Sequence, residues 1–203
     1  VSAKQPSSVR NRTERAIVTA AVRVWVRDRA ATLPQVAEAA EVGRTTLHRY
    51  FPERDGLLRA ATEHALETIG GAIAEADPGK GHPLDAMRRV VAALASASDA
   101  IMFVFGGRSL VRDAAPNPAG PDLPTPHDPV IDLIRRGQAE GVFDDQLTAE
   151  WIQQVLWGVA YTAFEQVERG ALAKFDVAAT VTRTLERGIT ATAGARPGSE
   201  PKL

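Results

Sequence analysis

Apolar positions recur at three- and four-residue spacing along most of the chain, the period of amphipathic helices, and no stretch alternates convincingly as a strand. A first helix is predicted from about Arg10 to Arg29, with Ile17, Ala20, Ala21, Val24 and Trp25 on one face. A short helix follows, with Thr32 as N-cap, Pro34 in its first turn and Gln35 at capping-box spacing. Its stripe is narrow and made of small residues, Val36, Ala37 and Ala40. Glu41-Val42-Gly43 breaks the period, and Arg44 to Phe51 restarts it with Leu47 and Phe51 on one face before Pro52 discourages further helix.

A fourth helix is expected from about Arg54 to Ala76, carrying Leu57, Leu58, Ala61, Ala65, Leu66, Ile69 and Ile73, and ended by Asp77-Pro78-Gly79-Lys80-Gly81. Leu84–Ser98 and Ala100–Val111 continue the pattern. The run Ile101–Phe105 fits a strand or a buried helix on periodicity alone, and its helical neighbours favour the helix. Asp113–Pro129 is proline-rich and aperiodic, so it reads as a long loop. Val130–Glu140, with Gly141 just past its end, Thr148–Arg169 and Asp176–Thr192 complete a set of nine expected helices. The fold class is all-α. The division expected along it is a disordered tail over 1–9, a helix-turn-helix domain over 10–55, a helical ligand-binding and dimerisation domain over 56–193, and a disordered tail over 194–203.

Composition narrows the chemistry. The 203 residues contain 44% hydrophobic and 24% charged residues, ordinary for a globular protein. There is no cysteine, which excludes disulfides and thiolate metal sites. No apolar run reaches the roughly 18 residues of a membrane span, and the N-terminal segment lacks an apolar leader core, so a cytoplasmic protein without membrane association is expected. The net charge of −1 conceals an asymmetry: residues 1–60 carry eleven Lys/Arg against six Asp/Glu, and the remainder is acidic. A basic head on an acidic body fits a head that meets a polyanion.

The small residues of the second helix let the third cross it closely, as a helix-turn-helix requires to place its second helix in a major groove. That helix meets base edges with its N-terminal residues, which puts Arg44, Thr45 and Thr46 at the groove and Arg49 one turn on. Arginine can pair with guanine O6 and N7, and threonine can donate a hydroxyl or touch a thymine methyl. His48 and Tyr50 are candidates for phosphate or base contact, and Thr32 opens a helix N-terminus that offers N–H groups to a phosphate.

The order Ala40, Val42, Thr46, Leu47, Tyr50, Phe51, Asp55, Leu57, Leu58 resembles the DNA-binding domain of TetR-family transcriptional regulators, and Arg15–Trp25 is similar to that family's first helix. Matching positions span roughly residues 10–62. The resemblance implies that Arg54 stands where a phosphate-contacting Lys is usual. Glu41 departs from the pattern by standing where a turn Gly is usual, which implies about 1–2 kcal/mol of strain if the residue is left-handed. His48 replaces a frequent Tyr, and Gly43 a frequent Ser.

The resemblance further implies a homodimer joined by a four-helix bundle. Ile152, Val155, Leu156, Val159 and Ala163 on the eighth helix, with Val181 and Leu185 on the ninth, are the expected interface; the same stripes would also serve a monomer core. A small, largely apolar effector is expected from the family, and Met87, Met102, Phe103, Phe105, Trp157, Tyr161 and Phe164 suit an apolar cavity and core packing equally. The expected function is a dimeric repressor released from a palindromic double-stranded DNA operator by that effector. The alternatives are a helical protein-interaction module or a ligand-independent DNA-binding protein. No cofactor or metal is expected. Histidines 48, 64, 82 and 127 are dispersed, and neither H-E-x-x-H, G-x-S-x-G nor a phosphate-binding loop occurs, so an enzyme is not expected.

Overall fold

Local signals set the helix ends. A computed structural model describes residues 5–106 and 128–190, with side chains from Arg10 onward. Among these residues there are nine α-helices: α1 (Gln5–Arg27), α2 (Leu33–Ala39), α3 (Arg44–Tyr50), α4 (Arg54–Glu75), α5 (Pro83–Ser96), α6 (Ser98–Gly106), α7 (Pro129–Ala139), α8 (Ala149–Glu168) and α9 (Val177–Ile189). A 3-10 turn, Lys174–Asp176, precedes α9, and one isolated antiparallel bridge pairs Phe143 with Thr190. The all-α expectation holds, and Ile101–Phe105 is helical within α6. The first helix begins at Gln5, earlier than the expected Arg10. The expected loop over 113–129, apart from Asp128 and Pro129, and the tail from 194 lie outside the described residues.

Three helices end in the same way. After α7, Val142 N–H donates to Gly137 O at 2.8 Å and Gly141 N–H to Gln138 O at 3.0 Å, the paired bonds of a Schellman motif, with Gly141 at φ +70°. The end of α8 repeats the pattern around Gly170. After α2, Val42 N–H donates to Ala37 O and Glu41 N–H to Glu38 O, both at 3.0 Å, but the left-handed residue is Glu41 at φ +55°. The side chain expected to be strained at this turn is therefore in the region that favours glycine. Starts are capped by side chains: Asp128 Oδ1 accepts from Val130 and Ile131 N–H, and Thr148 Oγ1 from Trp151 N–H.

The described residues gather into two compact units, one of residues 5–75 and 93–106, the other of residues 76–92 and 128–190. In the first, α1 packs against α2, α4 and α6, burying Ile17, Ala21, Trp25, Leu57, Ala61 and Ile101. Leu66 of α4, placed on the apolar face by periodicity, is 50% exposed. In the second unit, α8 lies against α7 and α9 over a core of Leu133, Ile134, Phe143, Ile152, Leu156 and Leu185. Phe143 seats its ring so close to Gly137 that a Cβ there would lie 2.2 Å from it, so only glycine fits that position of α7.

Candidate nucleic-acid interface

The two short helices are held by the few apolar residues they own. Val36 and Ala37 of α2, Leu47 of α3 and Phe51 just beyond it are buried. Gln35 Oε1 accepts from Thr32 N–H at 2.7 Å and from the Thr32 hydroxyl at 2.9 Å, so the N-cap residue is tied into its own helix start. Gly43 enters α3 in extended conformation and adds no side-chain cap. From that fixed base, Arg44, Thr45, His48 and Arg49 project into solvent on adjacent turns, while Thr46 and Tyr50 are half-buried at the edge. Spacings of one and four residues make the exposed four a single face.

Arg54 takes a different position from the other expected contacts. Its guanidinium donates to the carbonyl of Ala31 and, at 2.6 Å, to that of Arg29, and it lies 4.8 Å above the Trp25 ring. These carbonyls follow the end of α1, where a cation is favoured by the helix dipole and by charge-assisted hydrogen bonds. The Trp25 indole N–H donates to the same Ala31 carbonyl at 3.0 Å. Arg54 thus braces the segment leading into α2, turned toward protein rather than outward.

Trp25 also meets Phe103 of α6, with ring centroids 6.4 Å apart and planes 19° from parallel. Phe103, expected among cavity residues, is buried on this stack. The other expected cavity residues divide between the units. Met102 and Phe105 belong with the first, half-buried; Met87, Trp157, Tyr161 and Phe164 belong with the second, where Met87 and Phe164 are buried. Met87 borders a gap of about 10 Å³ against Leu185 and Ile189, room for one water at most.

The apolar stripes of α8 and α9 have a partner already. Ile152, Leu156, Ala163, Val181 and Leu185, expected between subunits, are each at most 5% exposed within the second unit itself. Val155 and Val159 are half-buried, and Trp151, Gly158 and Thr162 stand exposed beside them on α8. Periodicity identified the buried face but could not tell a subunit's own core from a neighbour's.

Two features have no counterpart in the sequence reading. Arg10 lies 5.9 Å from the centre of the Tyr50 ring, which Arg49 approaches at 5.5 Å. An open trough of about 740 Å³ runs between α1 and α2, floored by small residues such as Ala16, Ala20 and Ala39 and edged by Arg12, Arg15 and Arg23. The available signal for that basic edge was the pairs Arg12 and Arg15, three residues apart, and Arg23 and Arg27, four apart, along α1. Among the described residues, no cluster of three or more His, Asp or Glu side chains could hold a metal ion. No single helix there is long and apolar enough to cross a membrane.

Comparison with known proteins agrees with the geometry. Residues 17–61, which contain α2, α3 and the turn, match the model of bacterial regulatory proteins of the tetR family. The chain is 34% identical over 169 residues to the HTH-type transcriptional repressor LfrR of Mycolicibacterium smegmatis, covering 81% of this chain and 84% of that protein. It is 29% identical over 176 residues to the HTH-type transcriptional regulator NfxB of Pseudomonas aeruginosa, covering 86% and 92%. The crystal structure of the TetR-like regulator LfrR from Mycobacterium smegmatis in complex with proflavine superposes with a TM-score of 0.69 at 28% identity, over 89% of this chain and 98% of that one. With its turn, the exposed polar face of its third helix and a relative matched along four fifths of its length, the chain belongs to the tetR family and is a DNA-binding transcriptional regulator, not an enzyme.

Proposed function

We propose that the protein is a homodimeric repressor that reads a palindromic operator with α3 and leaves it when a small, largely apolar effector binds. The observation that carries this reading is the exposed face of Arg44, Thr45, His48 and Arg49 on a helix pinned from behind by Leu47 and Phe51. Arg44 suits a guanine edge, Thr45 and Thr46 suit hydroxyl or methyl contacts, and His48, Arg49 and Tyr50 suit the backbone. Arg54 contributes by holding the entry to α2. Thr32 acts through the same helix start, since its own donors are engaged by Gln35. A DNA target also favours a cytoplasmic location.

One seven-residue helix touches few base pairs, so specificity calls for two copies about 34–36 Å apart in successive major grooves. The surface left for dimerisation is the outer side of α8, Trp151, Val155, Gly158, Val159 and Thr162, with Thr180, Thr184 and Gly188 of α9. Open space surrounds the Cβ position of Gly158 and of Gly188, which favours close helix approach. The LfrR complex with proflavine supports a small-molecule effector. An effector shifts occupancy only by preferring one arrangement of the heads. The stack of Phe103, Trp25 and Arg54 supports a route from α6 to the entry of α2.

The test is selection of genomic fragments by the full-length protein at physiological salt, followed by titration of the recovered site. Arg44→Ala is expected to lose discrimination between that site and scrambled sequence, and proflavine serves as a first effector probe. Retention of no fragment above the non-specific level overturns the regulator mechanism proposed, whereas a bound site insensitive to every small molecule tried favours ligand-independent binding.

A further inference from the structure

We infer that Arg10 of α1 and Arg49 of α3, gathered around the Tyr50 ring, form a clamp for a DNA backbone phosphate beside the base-reading face. The inference rests on the proposed use of α3 and adds a contact from a helix that does not enter the groove. Arg10 and Tyr50 are forty residues apart, yet the guanidinium lies 5.9 Å from the ring centre, and Arg49 lies 5.5 Å from the same centre. Both arginines are exposed and Tyr50 is half-buried, so the ring is anchored in protein and both guanidinium groups are open to a ligand from solvent.

Neither guanidinium has a carboxylate within ion-pair distance among the described residues, although other surface arginines do: Arg88 pairs with Asp85 and Glu186, and Arg135 with Glu150. The ring quadrupole offsets part of the repulsion between two cations sharing it. What would relieve the rest is an anion with several acceptor oxygens, which the guanidinium fork fits and a phosphodiester supplies. The Tyr50 hydroxyl has no hydrogen-bond partner among the described residues and adds a donor. Arg54 faces its carbonyls and is engaged by protein, whereas Arg10 and Arg49 are exposed beside Tyr50.

The test measures binding of the full-length protein by anisotropy against salt, on the selected site and on a duplex of arbitrary sequence. Removing one phosphate contact lowers the slope of log K against log salt by about one. Arg10→Ala is therefore expected to lower the slope by that amount on both duplexes, weakening each about equally and leaving their ratio intact. Over a fourfold rise in salt, the variant should lose about threefold less affinity than wild type. Tyr50→Phe should keep the Arg10 contribution. Tyr50→Leu should abolish it, so that adding Arg10→Ala then changes little; circular dichroism on each variant separates this from loss of fold. An unchanged slope in Arg10→Ala overturns the clamp, and it leaves the operator reading standing if Arg44→Ala still destroys discrimination. The arbitrary duplex reads the clamp even if no operator exists.

Discussion

The α2–α3 pair and the α8–α9 pair are both amphipathic, yet they answer different questions. In α2 and α3 the apolar residues are few and inward, and the outward face is polar, so whatever that face meets must be polar too. In α8 and α9 the stripe of Ile152, Leu156, Val181 and Leu185 is broad enough for a subunit interface and is nonetheless consumed by the unit's own core. The period of a helix marks the face that leaves water; it does not name the surface that covers it. A polar face on a well-anchored helix is the more direct functional signal, because the fold itself does not need it.

The sharpest way to break this comparison is in the second unit. Leu156→Ala should lower unfolding stability by about 2–5 kcal/mol, independently of protein concentration, as measured by denaturant melts at two well-separated concentrations. Dimers that dissociate while each subunit melts normally would return Leu156 to the interface. Val159→Asp should do the reverse, shifting sedimentation toward monomer with little change in a dilute melt.

In the first unit, Arg54→Ala removes two charge-assisted hydrogen bonds and a ring contact, and should cost about 1.5–3 kcal/mol of stability. If Arg54 instead holds a phosphate, melting will be unaffected and the salt slope of DNA binding will fall. Arg44→Ala should cost about 1–3 kcal/mol of discrimination at one base position while melting like wild type. Equal weakening on all sequences would make Arg44 a backbone contact.

The smallest effect concerns the turn between the two short helices. Glu41→Gly relieves a side chain at φ +55° but adds freedom to the unfolded chain, so a net gain of about 0.5–1 kcal/mol is expected. A loss of stability would mean that the Glu41 carboxylate, which borders the arginine-edged trough of α1, contributes more than its backbone costs.

Much of the head was legible because its determinants lie within a few residues of one another. Thr32 and Gln35 cap α2, Gly43 opens α3, and Leu47 and Phe51 declare its buried side; each acts over a single turn. The strain at Glu41 was expected only through the resemblance, which places a turn Gly there, and the structure supplies the left-handed φ of +55°. The same locality pointed to Arg44, Thr45 and Arg49 and to the helix-ending Gly141, while Thr46, placed with them, is half-buried and His48 is exposed instead.

What the chain order could not reveal were pairings across distance. The resemblance implied a phosphate contact for Arg54, but its direction is decided by the carbonyls of Arg29 and Ala31 and by the Trp25 ring. Phe103 reads as either cavity or core until α6 is laid against α1. Arg10 is one basic residue among several until the fold brings it to Tyr50. By itself the sequence determined the helices, their buried faces and the DNA-reading turn, since those follow from hydrogen bonds and burial repeating every few residues. Tertiary structure alone decided which surface covers each face and where each long side chain points, because both depend on neighbours that the backbone brings together only on folding.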